Sequence, residues 1–248
     1  MPSKVGIFHP LRSLLPWVAR KTTIGPWFEP EIKILNRLVK PGDTVMDVGA
    51  NVGVYTSVLS RLVAPSGHVV AYEPIHESAE SIRRFIRVSG VTNVVVREVG
   101  LSTRSGPGYL AAPRDFSGRL DDQQAHLTDR ERSADYAIEL STLDDEMRML
   151  DLTRLDFVKC DVEGAEFEAF RGGARSLSQF RPTILAEIES QWTMRYGTTT
   201  DEVMRYIQSL GHYRIYVVEG AELIPAAAAR EAHRNFIFIP DPGTNGPS

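Results

Sequence analysis

Two groups of residues have the types and the spacing to do chemistry. The first is Asp47-Val48-Gly49-Ala50-Asn51-Val52-Gly53, with Glu73 twenty positions after Gly53. An apolar run there ends in glycines ahead of a helical pattern, which lets backbone approach a ligand closely at a helix N-terminus. A dinucleotide turn needs Gly-x-Gly-x-x-Gly. The three places hold Gly49, Asn51 and Val54, so two of the glycines are absent. A carboxylate at Asp47 repels a pyrophosphate and attracts an ammonium, or an ordered water beside one. An acid at the end of the following strand, Glu73, accepts hydrogen bonds from both hydroxyls of a ribose. An amino-acid moiety joined to a ribose describes S-adenosylmethionine better than it describes NAD.

The second group is acidic. Asp161 and Glu163 follow the strand pattern Phe157–Cys160, and Glu187 and Glu189 close the run that begins at Thr183. Parallel sheets bind ligands at the carboxyl ends of their strands. Methyl transfer from a sulfonium is an in-line displacement, so a site must align acceptor atom, methyl and sulfur, and must take the proton of an acceptor that carries one. Alignment supplies about 7–11 kcal/mol in well-oriented systems, and a positioned base adds about 10²–10⁴-fold. Asp161 is the expected base, with Glu163 or Glu187 orienting the acceptor. A carboxylate can serve an alcohol only if burial raises its pKa. The competing reading is structural: Asp161 and Glu163 cap the next helix, and Glu187 pairs with Lys159 or an arginine. Glu187 and Glu189 are expected on opposite faces. Asp161 and Glu187 are the candidate ligands if a divalent ion is used, although no spacing demands one. The six histidines form no cluster in the sequence, and His126 is the one to test. Trp192 and Tyr196 either stack on a sugar face or pack at the rim.

The elements that position these residues alternate. A helical stretch starts at Pro30. Thr44–Val48 reads as a strand, 51–64 as a helix, His68–Glu73 as a strand, His76–Ser89 as a helix ended by Gly90, and Val94–Val99 as a third strand. A β-α-β-α-β series predicts a doubly wound parallel sheet of the α/β class. Further strands are expected at Phe157–Cys160, Thr183–Ile188, Tyr213–Val218 and Asn235–Ile239, with 219–234 a loop. Residues 1–28, with Trp17, Trp27 and Phe28, read as an arm or lid. Residues 29–240 form one domain with an insertion around 113–135, flanked by a candidate hairpin of Tyr109–Ala111 and Tyr136–Leu140. Residues 241–248 read as a flexible tail.

The segment Pro41-Gly42-Asp43-Thr44-Val45-Met46-Asp47-Val48-Gly49-Ala50-Asn51-Val52-Gly53-Val54-Tyr55-Thr56 resembles the opening motif of the FkbM-type S-adenosylmethionine-dependent methyltransferases. Leu143-Asp144-Asp145 and the block Lys159-Cys160-Asp161-Val162-Glu163-Gly164-Ala165-Glu166 resemble later parts of the same pattern, as do Gly172-Gly173-Ala174 and Arg181-Pro182-Thr183. The resemblance implies a Rossmann-like methyltransferase sheet of seven strands in order 3-2-1-4-5-7-6, the seventh antiparallel. It implies O-methylation of a sugar, glycolipid or natural-product hydroxyl. It also places Tyr55, Pro74 and Leu101 with Asp47, Gly49, Asn51, Gly53, Glu73 and Asp161 around the cofactor. Gly100-Leu101-Ser102 stands where the family has an Ala-Leu-Ser-like turn, and the insertion matches no part of the pattern.

Composition bounds the alternatives. A net charge of −4 over 248 residues argues against a nucleic-acid partner. Cys160 is the single cysteine, which precludes an internal disulfide and fits a reducing compartment. The apolar run Leu14–Ala19 is too short and too interrupted for a signal-peptide core, and no membrane span is visible, so a cytoplasmic location is expected. The aromatic N-terminal arm makes a homodimer an option. N-methylation of a small molecule or nucleic acid, a nicotinamide oxidoreductase and a non-catalytic binding domain stand as alternatives.

Overall fold

A computed structural model describes residues 30–114, 120–121, 124–128, 132, 134–226 and 233–241. The expected arm over 1–28 and all but the first residue of the expected tail lie outside these residues.

A short 3₁₀ turn, Pro30–Ile34, runs into α1 (Leu35–Leu38). Then come β1 (Thr44–Val48), α2 (Val54–Leu62), β2 (His68–Tyr72), α3 (His76–Ser89) and β3 (Val94–Arg97). The small strands β4 (Gly100–Leu101), β5 (Gly106–Ala111), β6 (His126–Thr128) and β7 (Tyr136–Ser141) follow. The chain continues through α4 (Leu143–Met149), β8 (Phe157–Cys160), α5 (Glu166–Arg171), α6 (Ala174–Phe180), β9 (Thr183–Glu187), α7 (Ser190–Thr193), α8 (Thr200–Leu210), β10 (Tyr213–Glu219), β11 (Glu222–Pro225) and β12 (Asn235–Pro240).

The main sheet runs β11-β10-β12-β9-β8-β1-β2-β3. Strand β12 is antiparallel to both of its neighbours, while β9, β8, β1, β2 and β3 are parallel. The implied order 3-2-1-4-5-7-6 is present with one addition. Glu222–Pro225 pairs with β10 through a turn at Gly220 (φ +66°), so the sheet has eight strands and part of the 219–234 segment is not loop. The Gly220-Ala221 connection lacks the Asn-Gly or Asp-Gly signature of a two-residue hairpin.

Strand β1 is buried along its whole length, as a central parallel strand covered on both faces must be. Alternate residues serve opposite layers. Met46 and Val48 join Val158, Cys160, Ile184 and Phe170 on one face. Val45 joins Phe157, Leu185, Leu59 and Ile237 on the other. The thiol of Cys160 is buried, free and pushed well up by burial.

The expected hairpin forms, with Tyr109 opposite Ala137 and Leu110 opposite Tyr136. It belongs to a four-stranded sheet, β4-β7-β5-β6, so part of the insertion is ordered strand. Leu110, Ile138 and Leu140 of this sheet pack on Ile75, which follows β2. The small sheet is thereby fixed over the carboxyl end of the main one. Among the described residues no helix is long and apolar enough to cross a membrane.

Candidate active site

Past Val48 the chain turns through Gly49 (φ +74°), Asn51 (φ +50°) and Gly53 (φ +86°). Glycine and asparagine are the residues that take this left-handed region at least cost. The amides of Gly49 and Ala50 both donate to the Tyr72 carbonyl at 3.0 Å, tying the turn to the end of β2. A Cβ on Gly49 would stand 1.8 Å from the backbone oxygen of Asp161. The close approach of the backbone after β8 is therefore enough to require a glycine here.

Glu73 is 6% exposed. Its Oε2 accepts from the Asn51 amide at 2.8 Å and its Oε1 from the Ile75 amide at 2.9 Å. The carboxylate thus shapes the turn from the side opposite β8. Glu73→Ala is expected to leave both amides without this acceptor and to weaken binding of an adenosyl ligand by about 10–100-fold, since hydrogen bonds to charged groups are worth about 1.5–3 kcal/mol each. Calorimetric titration with S-adenosylhomocysteine checks this, and an unchanged affinity would remove Glu73 from the ligand site.

The turn opens on a cavity of about 480 Å³, within the range of about 300–1,000 Å³ usual for small-molecule sites. Gly49, Asn51, Tyr55, Glu73, Pro74 and Leu101 line it on the side of the turn. Asp161, Glu163 and Glu187 line it from the ends of β8 and β9, and Leu110, Ala125, Leu127 and Ile138 of the small sheet form another wall. Two expected contact residues lie behind the wall. Gly53 starts α2, with Ile82 packed 3.1 Å from the position of a Cβ. Asp47 is fully buried inside β1, and its Oδ2 accepts from Thr56 Oγ1 at 2.6 Å. Asp47 lies beneath the turn that was expected to present it, so among the described residues the acids at the cavity surface are others.

Lys159 is the site residue that spacing did not reveal. It sits opposite Asp47 in the β1–β8 register and shares a face with Asp161, two residues on. Its side chain is 7% exposed. Nζ donates to the Gly49 carbonyl at 3.1 Å and to Asp161 Oδ2 at 3.2 Å, and it stands 5.1 Å from the centre of the Tyr55 ring. The signal was present in the sequence as a lone charge inside an otherwise apolar strand.

The acids divide by environment. No side chain caps α5, so neither Asp161 nor Glu163 has the expected capping role, and Glu166, the first residue of the helix, reaches back to the turn before it. Glu166 Oε1 accepts from the amides of Val162 (2.9 Å) and Gly164 (3.2 Å), and burial raises its pKa to about 7. Glu163 is held at φ +52°, and burial, then the charge of Asp161, raises its pKa to about 8. Glu187 is raised to about 9 by burial, by Asp161 and by a hydrogen bond with Glu189. These last two acids meet and do not point apart, as residues two apart along a strand share a face. Glu187 pairs with an arginine, Arg234, at ion-pair distance. Arg234 Nε is 3.6 Å away, while Arg234 Nη1 donates to Glu189 Oε1 at 2.8 Å.

Among the described residues no three His, Cys, Asp or Glu side chains are grouped to hold a metal ion. His126, Trp192 and Tyr196 do not line the cavity; they buttress it. The rings of His126 and Trp192 are 6.4 Å apart, and Tyr196 Oη donates to the Leu127 carbonyl at 3.3 Å. The Tyr196 ring also stands 2.8 Å from where a Cβ on Gly164 would be, which locks the Glu163 turn against it.

Similarity to known proteins agrees with this geometry. A protein-L-isoaspartate O-methyltransferase of Ignicoccus hospitalis is 39% identical over 77 residues, which is 31% of this chain and 35% of that protein. The 2-O-methyltransferase NoeI of Sinorhizobium fredii is 25% identical over 160 residues, 60% of this chain and 65% of NoeI. The matched stretch thus spans about a third of the first relative's length and just under two thirds of the second's. The crystal structure of a methyltransferase FkbM from Methylobacillus flagellatus superposes with a TM-score of 0.52 at 17% identity, covering 85% of this chain and 50% of that one. An O-methyltransferase from Bacillus cereus, solved in complex with SAH, gives 0.52 at 15% identity, covering 96% and 91%. These likenesses establish a Rossmann-like methyltransferase fold. The profile of the methyltransferase FkbM domain matches residues 47–214, from the buried acid of β1 into β10, and the chain belongs to the FkbM methyltransferase family.

Proposed function

We propose that this protein moves a methyl group from S-adenosylmethionine to a hydroxyl of a small-molecule or glycan acceptor. The observation that carries the reading is one cavity with two differently prepared carboxyl groups. Glu73 is fixed by the Asn51 and Ile75 amides, and Glu163 is raised to about 8. Bound S-adenosylmethionine supplies an electrophilic methyl on a sulfonium. Glu73 and the 49–53 turn hold the nucleoside end, with Pro74 and Leu101 beside it. Asp161 Oδ2 is engaged by Lys159, so it serves binding, and the base is Glu163. A carboxylate whose pKa lies near the working pH combines availability with proton affinity. Glu187, protonated beside Glu189, orients the acceptor. Trp192 and Tyr196 stand behind the wall and not across a sugar face. NoeI is a 2-O-methyltransferase, and this supports oxygen as the acceptor atom.

Calorimetric titration with S-adenosylmethionine and with NAD tests the donor, and binding of the first alone is expected. Transfer of a labelled methyl to cell extract, followed by mild alkali, tests the acceptor. A methyl ether keeps its label. Release as methanol would mark a carboxyl acceptor, and a label on nitrogen would mark an amine; either result overturns the hydroxyl assignment.

A further inference from the structure

Lys159 places an ammonium on two acceptors at the cavity wall, the Gly49 carbonyl and Asp161 Oδ2. A peptide carbonyl and a carboxylate are also what the α-ammonium of an amino-acid ligand requires. On the far side of the same ammonium, 3.9 Å away, is Asp47 Oδ1. That oxygen is buried and has no hydrogen-bond partner. A buried carboxylate oxygen left unbonded is costly. The wall therefore holds a cation on acceptors that a ligand can claim, with an unfilled acceptor behind it. Bringing 3.9 Å to hydrogen-bond distance takes a shift of about 1 Å, which the flexible four-carbon stem of lysine allows.

We propose that Lys159 is a placeholder ammonium. The α-ammonium of the methyl donor takes the Gly49 carbonyl and Asp161, and Lys159 moves back onto Asp47 Oδ1. This rests on the donor reading above, because it needs a nucleoside that carries an amino acid. Asp47, which never reaches the cavity, becomes a positioning residue for ligand recognition. Two carboxylates, Asp47 and Asp161, then face two ammoniums, and the acceptor that the free protein leaves unfilled is bonded. The arrangement selects for an adenosyl ligand with an α-ammonium over one without.

The test is calorimetry on the full chain with two probes, S-adenosylhomocysteine and its deaminated analogue, in which hydrogen replaces the α-ammonium. The wild type is expected to prefer the first by about 10–100-fold, the worth of a charge-assisted hydrogen bond. Asp161→Asn and Asp47→Asn are each expected to erode that preference by weakening S-adenosylhomocysteine alone. Lys159→Met is expected to keep or enlarge it, because the competing ammonium is gone. A preference unchanged in both Asn variants, or abolished in Lys159→Met, would overturn the proposal. If Lys159→Met does not fold, the two Asn variants decide. If the wild type binds both probes equally, this inference alone falls; if it binds neither, the donor reading falls with it.

Discussion

Glu163→Gln is expected to lower turnover by about 10²–10⁴-fold, the usual contribution of a positioned base, while affinity for S-adenosylhomocysteine stays within a few-fold. The wild-type rate should carry a rising limb near pH 8 that the variant lacks. The sign follows from the groups around the carboxyl. Burial raises its pKa most, Asp161 next, then Glu166 and Glu189, while Lys159 opposes them. Below about 8 Glu163 is neutral and cannot accept a proton; above it the carboxylate forms and turnover rises. The same shift acts on stability. The unfolded group titrates near 4.5, so between about 4.5 and 8 the folded protein holds a proton that the unfolded chain has released. That contribution is fully present below 4.5 and is lost as pH rises through 8, with Glu187 extending the loss toward 9. The melting temperature of the ligand-free protein should therefore fall across this range, and fall less in Glu163→Gln. If the limb survives in Glu163→Gln and disappears in Glu187→Gln, the base is Glu187.

The parts of this site that could be read from the sequence are those fixed by short-range rules. Gly49, Asn51 and Gly53 take left-handed backbone because a strand must turn into a helix there, and the turn residues announce it. Glu73 is legible because an acid closing the second strand of such a unit falls beside the turn. The parallel sheet is legible from alternating strand and helix patterns. What could not be read depends on register between segments far apart in sequence. Asp47 and Lys159 meet because β1 pairs with β8 in one particular alignment. Only that alignment turns Asp47 from a surface carboxylate into a buried partner and brings Lys159 to the cavity wall. Glu163 and Glu166 look interchangeable as acids beside a glycine. The amides of Val162 and Gly164 claim Glu166, and Glu163 is left facing the cavity. The insertion was opaque because its strands pair with β5 and pack on Ile75, contacts that no local pattern encodes.

Gly49→Ala is expected to be the most damaging glycine-to-alanine change among the described residues, with a cost above about 4 kcal/mol, a size that only a few mechanisms reach. Two of them coincide here. An L-residue at φ +74° pays about 1–2 kcal/mol for left-handed backbone. The added Cβ would also meet the Asp161 backbone oxygen at 1.8 Å and its carbonyl carbon at 2.9 Å. Neither atom can swing aside as a side chain does. The Asp161 amide is held by the Val48 carbonyl at 3.1 Å, so β8 cannot withdraw without opening the central ladder. The turn cannot withdraw either, because Gly49 and Ala50 are both bonded to the Tyr72 carbonyl. Two other glycines separate these contributions. Gly90 has φ +68° with nothing within 4 Å of a Cβ, so Gly90→Ala isolates the backbone cost of about 1–2 kcal/mol. At Gly53 the Cβ would meet Ile82 Cγ1 at 3.1 Å, a side chain that can give, so Gly53→Ala should fall between the two. Denaturant unfolding of the three variants checks the ranking. Equal losses at Gly49 and Gly90 would show that β8 yields, and the tight seat of Asp161 against the turn would have to be abandoned. Donor affinity should follow the same order, because whatever relieves the clash moves the Gly49 carbonyl and Asp161 together.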